Sequence, residues 1–190
     1  MVSLMSLWLP ILLSAVVVFL VSAVFHMVLS YHRSDVERLP GEDEVMTALR
    51  AVAAPPGDYV VPYAGSPAAM KDPAYVEKVK RGPVAFLTVF PPIPSGQPAM
   101  GGQLAQWFVY ALVVSLFAAY IASRALEPGA PGAEVMRFAG TVAFAGYALA
   151  LLQSSIWWKR KWSATLKSVF DGLIYALLTG AVFAWMWPGA

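Results

Sequence analysis

Four stretches of this chain, 7–29, 104–123, 138–158 and 168–187, are almost continuously apolar, and no other feature narrows the range of folds so far. At 1.5 Å of helical rise per residue, each is long enough to cross the roughly 30 Å hydrocarbon layer of a bilayer, which takes about 20 residues. Only Pro10, His26 and Asp171 depart from the apolar, small, hydroxyl and amide side chains expected there. The whole chain is 59% hydrophobic and 13% charged, against about 45–50% and about 25% in soluble domains. Its apolar residues must therefore face lipid as well as one another. The first stretch is read as a retained helix and not a secretion signal, because no positive charge precedes it and its apolar run exceeds the usual span of about 7–15 residues.

The expectation is a membrane all-α protein: a bundle of four transmembrane helices with a small α/β extramembrane segment between the first and second. Residues 1–29 carry the first helix, 30–103 the extramembrane segment and 104–190 the other three helices. Within 30–103, the acidic Glu42, Asp43 and Glu44 followed by Val45, Leu49 and Val52 at helical spacing predict a short helix. Residues 58–63 and 84–90 read as strands, and 73–81 reads as a second helix with Asp72 as N-cap, Pro73 at its first position and Gly82 after its end. Two strands and two short helices make a small cap that needs support from the membrane face or from a partner. Pro91 to Gly102 reads as a turn or tether.

Orientation follows from lysine and arginine. The connection between the third and fourth helices holds Lys159, Arg160, Lys161 and Lys167, whereas that between the second and third holds only Arg124 and Arg137. The basic connection is expected in the cytoplasm, together with 30–103, and both termini outside. All seven tryptophans fall at helix ends or in the basic connection, where an amphipathic ring favours the headgroup level.

Two sets of residues stand out within the helices. Gly172, Ala176, Gly180 and Ala184 recur every four residues on the fourth helix, a small-residue ladder that lets another helix approach closely, either from this chain or from a partner. Asp171, Tyr175 and Thr179 run beside it. With the orientation above, His26, Gln106, Gln153, Ser154 and Asp171 all lie toward the cytoplasmic end, and with Tyr175 they form a candidate polar cluster in which His26 is the expected partner of Asp171. The cluster reads either as interhelical hydrogen bonding or as a proton-responsive or ligand-binding site. His26 and His32 could be metal ligands with Asp35, Glu37 or Asp171 completing the set, but they are six residues apart, on different sides of a continuing helix, so no metal site is assigned, and His32 with Arg33 reads as a solvated or headgroup-facing pair. No pattern requires a cofactor.

Several classes are excluded or unsupported. The absence of cysteine removes disulfides, thiolate metal sites and cysteine nucleophiles. A net charge of +2 is far from the basic patch that nucleic-acid binding needs. Neither HExxH, GxSxG nor a Walker loop occurs, so an enzyme is unsupported.

The segments Phe25-His26-Met27-Val28-Leu29-Ser30-Tyr31-His32-Arg33-Ser34-Asp35, Met70-Lys71-Asp72-Pro73 and Asp171-Gly172-Leu173-Ile174-Tyr175-Ala176-Leu177, with a Trp-rich basic loop before the last, resemble a group of uncharacterised bacterial inner-membrane proteins. The resemblance implies a bacterial source and a compact four-helix protein, and carries no activity. The function expected from the residues is a non-enzymatic accessory, assembly or scaffold component, in contact with the lipid bilayer and with a protein partner or further copies of itself. The alternative is a small proton-responsive transport or ligand-sensing protein built on His26 and Asp171.

Overall fold

The computed structural model describes residues 1–97 and 99–189. The elements in chain order are α1 (Leu4–Val28), α2 (Glu42–Ala51), β1 (Gly57–Val61), α3 (Pro73–Arg81), β2 (Ala85–Val89), α4 (Gly101–Ala125), α5 (Gly132–Trp158) and α6 (Trp162–Trp185). Four of them, α1, α4, α5 and α6, are long and apolar enough to cross a membrane. The chain divides into two units, Met1–Glu37 with Ala99–Ala190, and Arg38–Pro98.

In the first unit the four long helices form a ring in which α1 packs on α4 and α6, α4 on α5, and α5 on α6. Short connections make α5 antiparallel to both α4 and α6. The turn after α4 is tied to the C-terminal residues by Gly129 N–H donating to the Pro188 carbonyl (2.8 Å) and Trp187 Nε1 donating to the Glu127 carbonyl (3.1 Å). The N-terminal amine of Met1 pairs with the Glu127 carboxylate. Both termini and the α4–α5 turn therefore share one end of the bundle. The end of α1 and the α5–α6 turn, 159–161, share the other.

The interior is made mostly of small residues. Ala15, Ala111, Ala118, Ala119, Ala122, Ala139, Ala143 and Ala164 are fully buried, with Ser14 and Ser115, while Leu20, Phe117, Phe170 and Trp185 lie on the outside. Small interior residues let backbones approach, and van der Waals packing then holds the helices together where lipid supplies no hydrophobic drive. The closest approach is between α5 and α6. A methyl group on Gly180 would lie 3.0 Å from the Met136 carbonyl oxygen and 3.3 Å from Gly140 Cα, and one on Gly172 would lie 2.9 Å from Ala148 Cβ and 3.1 Å from the Tyr147 carbonyl. Ala176 and Ala184 meet the same helix, opposite Gly140 and Gly132. The ladder of the fourth helix is thus taken up by α5 of the same chain.

The second unit follows the expected order of elements. Asp72 caps α3 by accepting from the Ala74 N–H at 2.7 Å, with Pro73 at the first helical position. Strands β1 and β2 pair antiparallel, with Gly57 opposite Val89, Tyr59 opposite Leu87 and Val61 opposite Ala85. Ala85, Leu87 and Val89 are half-buried while Phe86 and Thr88 are exposed, the period of two that a strand imposes. Thr88 Oγ1 donates across the pair to Asp58 at 2.7 Å. None of the described residues of 38–98 is fully buried.

Candidate functional site

Neither glycine nor proline lies between Val24 and Ser30, so helical periodicity carries α1 on past His26. The backbone does otherwise. Val24–Val28 widens into a π-type turn and Leu29 becomes extended, with its N–H still bonded to the Val24 carbonyl (3.1 Å). Tyr31–Ser34 then coils as a tight 3₁₀ turn, closed by Arg33 N–H to Ser30 O and Asp35 N–H to His32 O, each 3.0 Å. The chain folds back, and the His32 ring stacks on the His26 ring with centroids 4.5 Å apart and planes 9° from parallel.

Lys167, Asp171 and Tyr175 line one face of α6 at intervals of four. Asp171 sits one residue before Gly172, where α6 lies tight against α5, and only 2% of it is exposed. Its carboxylate accepts from the Tyr31 hydroxyl through Oδ1, and Oδ2 lies 2.7 Å from His32 Nε2. The other nitrogen of that ring, Nδ1, lies 2.6 Å from Asp35 Oδ2. Lys167 Nζ completes the network by donating to Asp35 Oδ1 (2.8 Å), Ser34 Oγ (2.8 Å) and the Tyr31 carbonyl (2.6 Å). Farther out, Lys161 pairs with Glu37 at 2.7 Å.

Counting protons shows what the arrangement holds. Three hydrogen bonds, from Tyr31 to Asp171, His32 to Asp171 and His32 to Asp35, need three protons, while a tyrosine and a neutral imidazole bring two. The third resides on His32 or on one of the carboxyls. With His32 as imidazolium, the two carboxylates, His32 and Lys167 sum to zero charge, the balance that a buried ionic cluster needs. Burial pushes the Tyr31 hydroxyl well above its ordinary range, and its bond to Asp171 adds to this. Burial alone would also raise the Asp35 carboxyl, but hydrogen bonds from His32 and Lys167 outweigh it and hold that group below the usual carboxylate range. Glu37 is held low by its hydrogen bond from Lys161, whose ammonium is raised in return.

The expected cluster is thus formed in part and with a different partner. Asp171 pairs with His32 and not with His26, whose Nδ1 instead faces the Ser22 carbonyl of its own helix at 3.0 Å. Tyr175 is buried beside Asp171, its ring stacked on Phe25 with centroids 5.9 Å apart and edge-on to Tyr147 at 5.6 Å. Gln106 and Gln153 are exposed, Ser154 is half-buried, and none of the three is a partner of the Asp171 carboxylate. The interior serine of that helix is Ser155, whose Oγ donates to Thr165 Oγ1 at 2.8 Å. A 3₁₀ segment at Leu149–Leu151 shifts the phase of α5, so a spacing of seven from Tyr147 no longer returns to the same face. Sequence reasoning missed Tyr31, and it weighed His32 and Asp35 only as conceivable metal ligands beside His26, not as members of the polar cluster. The one local signal for them is the spacing of His32 and Asp35 by three, which a single tight turn brings into contact.

Comparison of the chain with protein families, with curated proteins and with solved structures finds no match in any of the three.

Proposed function

We propose that the protein is a non-enzymatic accessory or assembly component of a bacterial inner membrane, crossing it four times, whose extramembrane unit completes its fold against a protein partner. One observation carries this reading. The unit 38–98 has no fully buried residue among those described, yet exposes Val52, Tyr63, Met70 and Phe90. A two-stranded sheet is marginal without further packing, and burying a large apolar side chain contributes about 1.5–3 kcal/mol. A few such side chains covered by a partner would supply what the unit lacks.

The four crossings are supported by the length and apolar character of the helices and by large side chains such as Phe117, Phe170 and Trp185 on the outside of a small-residue core. The cytoplasmic placement of the α5–α6 turn is supported by Lys159, Arg160, Lys161 and Lys167 against Arg124 and Arg137 at the other end. The inner membrane and the bacterial source rest on the resemblance described above. The small-residue ladder lends the partner no support, since α5 occupies it.

The test is native mass spectrometry of the protein after gentle extraction from its own membrane, combined with amide exchange over 38–98. A stoichiometric protein partner, or a defined homo-oligomer in which the chain is its own partner, with slowed exchange in 38–98, is the expected result. A lone chain whose extramembrane amides are already protected contradicts the reading.

A second reading, a ligand-sensing or proton-responsive membrane protein, is favoured by the burial of Asp171 with His32 in a helix long enough to span, because ionisable groups in such segments are costly and tend to mark function. In this reading an occupant of the cluster alters the hold of α6 on residues 31–37, the stretch that leads into the extramembrane unit.

A further inference from the structure

We propose that His26, His32 and Asp171 bind a divalent first-row transition-metal ion, with zinc as its type. One ligand atom from each of these residues lies within 4.8 Å of the other two. The fold-back after Leu29 creates this convergence, since two histidines six residues apart on a continuing helix would diverge. The site is independent of the accessory role and names the class of ligand for the second reading.

In each histidine the other ring nitrogen already has the partner that a metal ligand's would have, although the two rings, stacked 9° from parallel, must turn relative to each other before both in-plane lone pairs meet at one ion. A carbonyl oxygen only accepts, so the 3.0 Å contact of His26 Nδ1 with Ser22 O fixes the ring proton there and leaves the lone pair on Nε2. His32 Nδ1 is bonded to the Asp35 carboxylate. Metal-bound histidines almost always give their other ring nitrogen to a carboxylate or a carbonyl, which fixes the tautomer and raises ligand basicity. One ring here has each kind of partner. Asp171 is oriented in turn by the Tyr31 hydroxyl on Oδ1, leaving Oδ2 toward His32. The ion takes the place of the proton that lies between His32 Nε2 and Asp171 Oδ2.

Two imidazoles and one carboxylate, without thiolate, suit zinc and its neighbours better than magnesium or calcium, which prefer all-oxygen sites. Bonds of about 2.0–2.1 Å to a tetrahedral ion put ligand atoms about 3.3 Å apart. His32 Nε2 and Asp171 Oδ2, now 2.7 Å apart, must open by about 0.6 Å, and the His26 nitrogen must close by about 1.5 Å at most, a distance covered by turning the His26 ring, which is exposed and also leaves the ion a route in. Three protein ligands leave a position for water or a further ligand, the pattern of an open site.

The experiment uses the full chain in mild detergent, freed of any affinity tag and stripped with chelator. Zinc retained after dialysis is counted by elemental analysis, and cobalt(II) added in its place is followed by its visible absorption. About one zinc per chain is expected, with cobalt bands that zinc abolishes, and the His26→Ala and Asp171→Asn variants should each bind at least tenfold more weakly. Asp35→Asn should weaken binding by roughly 10–100-fold through the orientation of His32. His26 is exposed, so His26→Ala keeps its helical circular dichroism and its association with any partner, which separates loss of metal from loss of the fold or of the accessory role. Failure of the wild-type chain to retain zinc, or retention unchanged in His26→Ala, overturns the proposal.

Discussion

A carboxylate paired with a cation has very different value at Asp171 and at Glu37. Lys161 and Glu37 meet at 2.7 Å in open solvent, where water and salt screen the pair and two long side chains must be ordered to form it. Asp171 is almost wholly buried, so bulk water cannot replace the partners that satisfy its carboxylate, the hydroxyl of Tyr31 and the ring of His32. Removing one member of a buried pair leaves the other uncompensated, at a cost on the order of 3–5 kcal/mol. Asp171→Ala should therefore lower the unfolding midpoint in detergent sharply, and Lys161→Ala should leave it unmoved. Equal effects of the two would show that the Asp171 network is not buried in solution. Asp171 was visible in the sequence as a charge in an apolar run, but its partner was not. Which histidine it meets depends on where α1 stops, and nothing between Val24 and Ser30 marks that point.

Elements were more legible than their contacts. The apolar length that predicts each long helix is a local property, and so is the Asp72-Pro73 start of α3, which forms at the expected residues. The ladder on α6 was equally plain, yet its partner is a nonlocal fact that only the fold supplies. Backbone lies in the path of a methyl group at both Gly172 and Gly180, so the neighbouring helix must move to admit one. Gly172→Ala and Gly180→Ala should each destabilise the α5–α6 pair by about 1–3 kcal/mol, the usual scale of overpacking. Gly102, where an added methyl group would meet nothing within 4 Å, provides the control. Thermal unfolding followed by circular dichroism should place Gly102→Ala at or above the parent and both α6 variants below it. The phase of α5 after its 3₁₀ segment was not legible, because a single irregular turn leaves no mark in a run of Leu and Ala.

At the scale of the molecule, alanine and serine dominate the interior, and most large apolar side chains, such as Leu20, Phe117, Phe170 and Trp185, lie outside, with Leu7 and Phe183 among the few fully buried ones. That arrangement is stable where the surroundings are themselves apolar. Both termini and the α4–α5 turn lie at one end of the bundle, and residues 30–37 and the α5–α6 turn lie at the other. An even number of crossings returns the chain to the side on which it began. Four helices long and apolar enough to cross a membrane were readable from hydropathy alone, and the placement of the basic end in the cytoplasm is the proposal that the excess of lysine and arginine supports.

The chain contains no cysteine, so single cysteines can report the side of the membrane directly. Ser3→Cys and Pro128→Cys, at one end of the bundle, and Lys78→Cys and Arg160→Cys, in the segment that follows α1 and in the α5–α6 turn, can each be probed in spheroplasts with a membrane-impermeant maleimide. The first two should react in spheroplasts without permeabilisation, and the last two only after it. Labelling of Pro128→Cys and Arg160→Cys from the same side, or recovery of the protein outside the membrane fraction, would contradict the four-crossing arrangement.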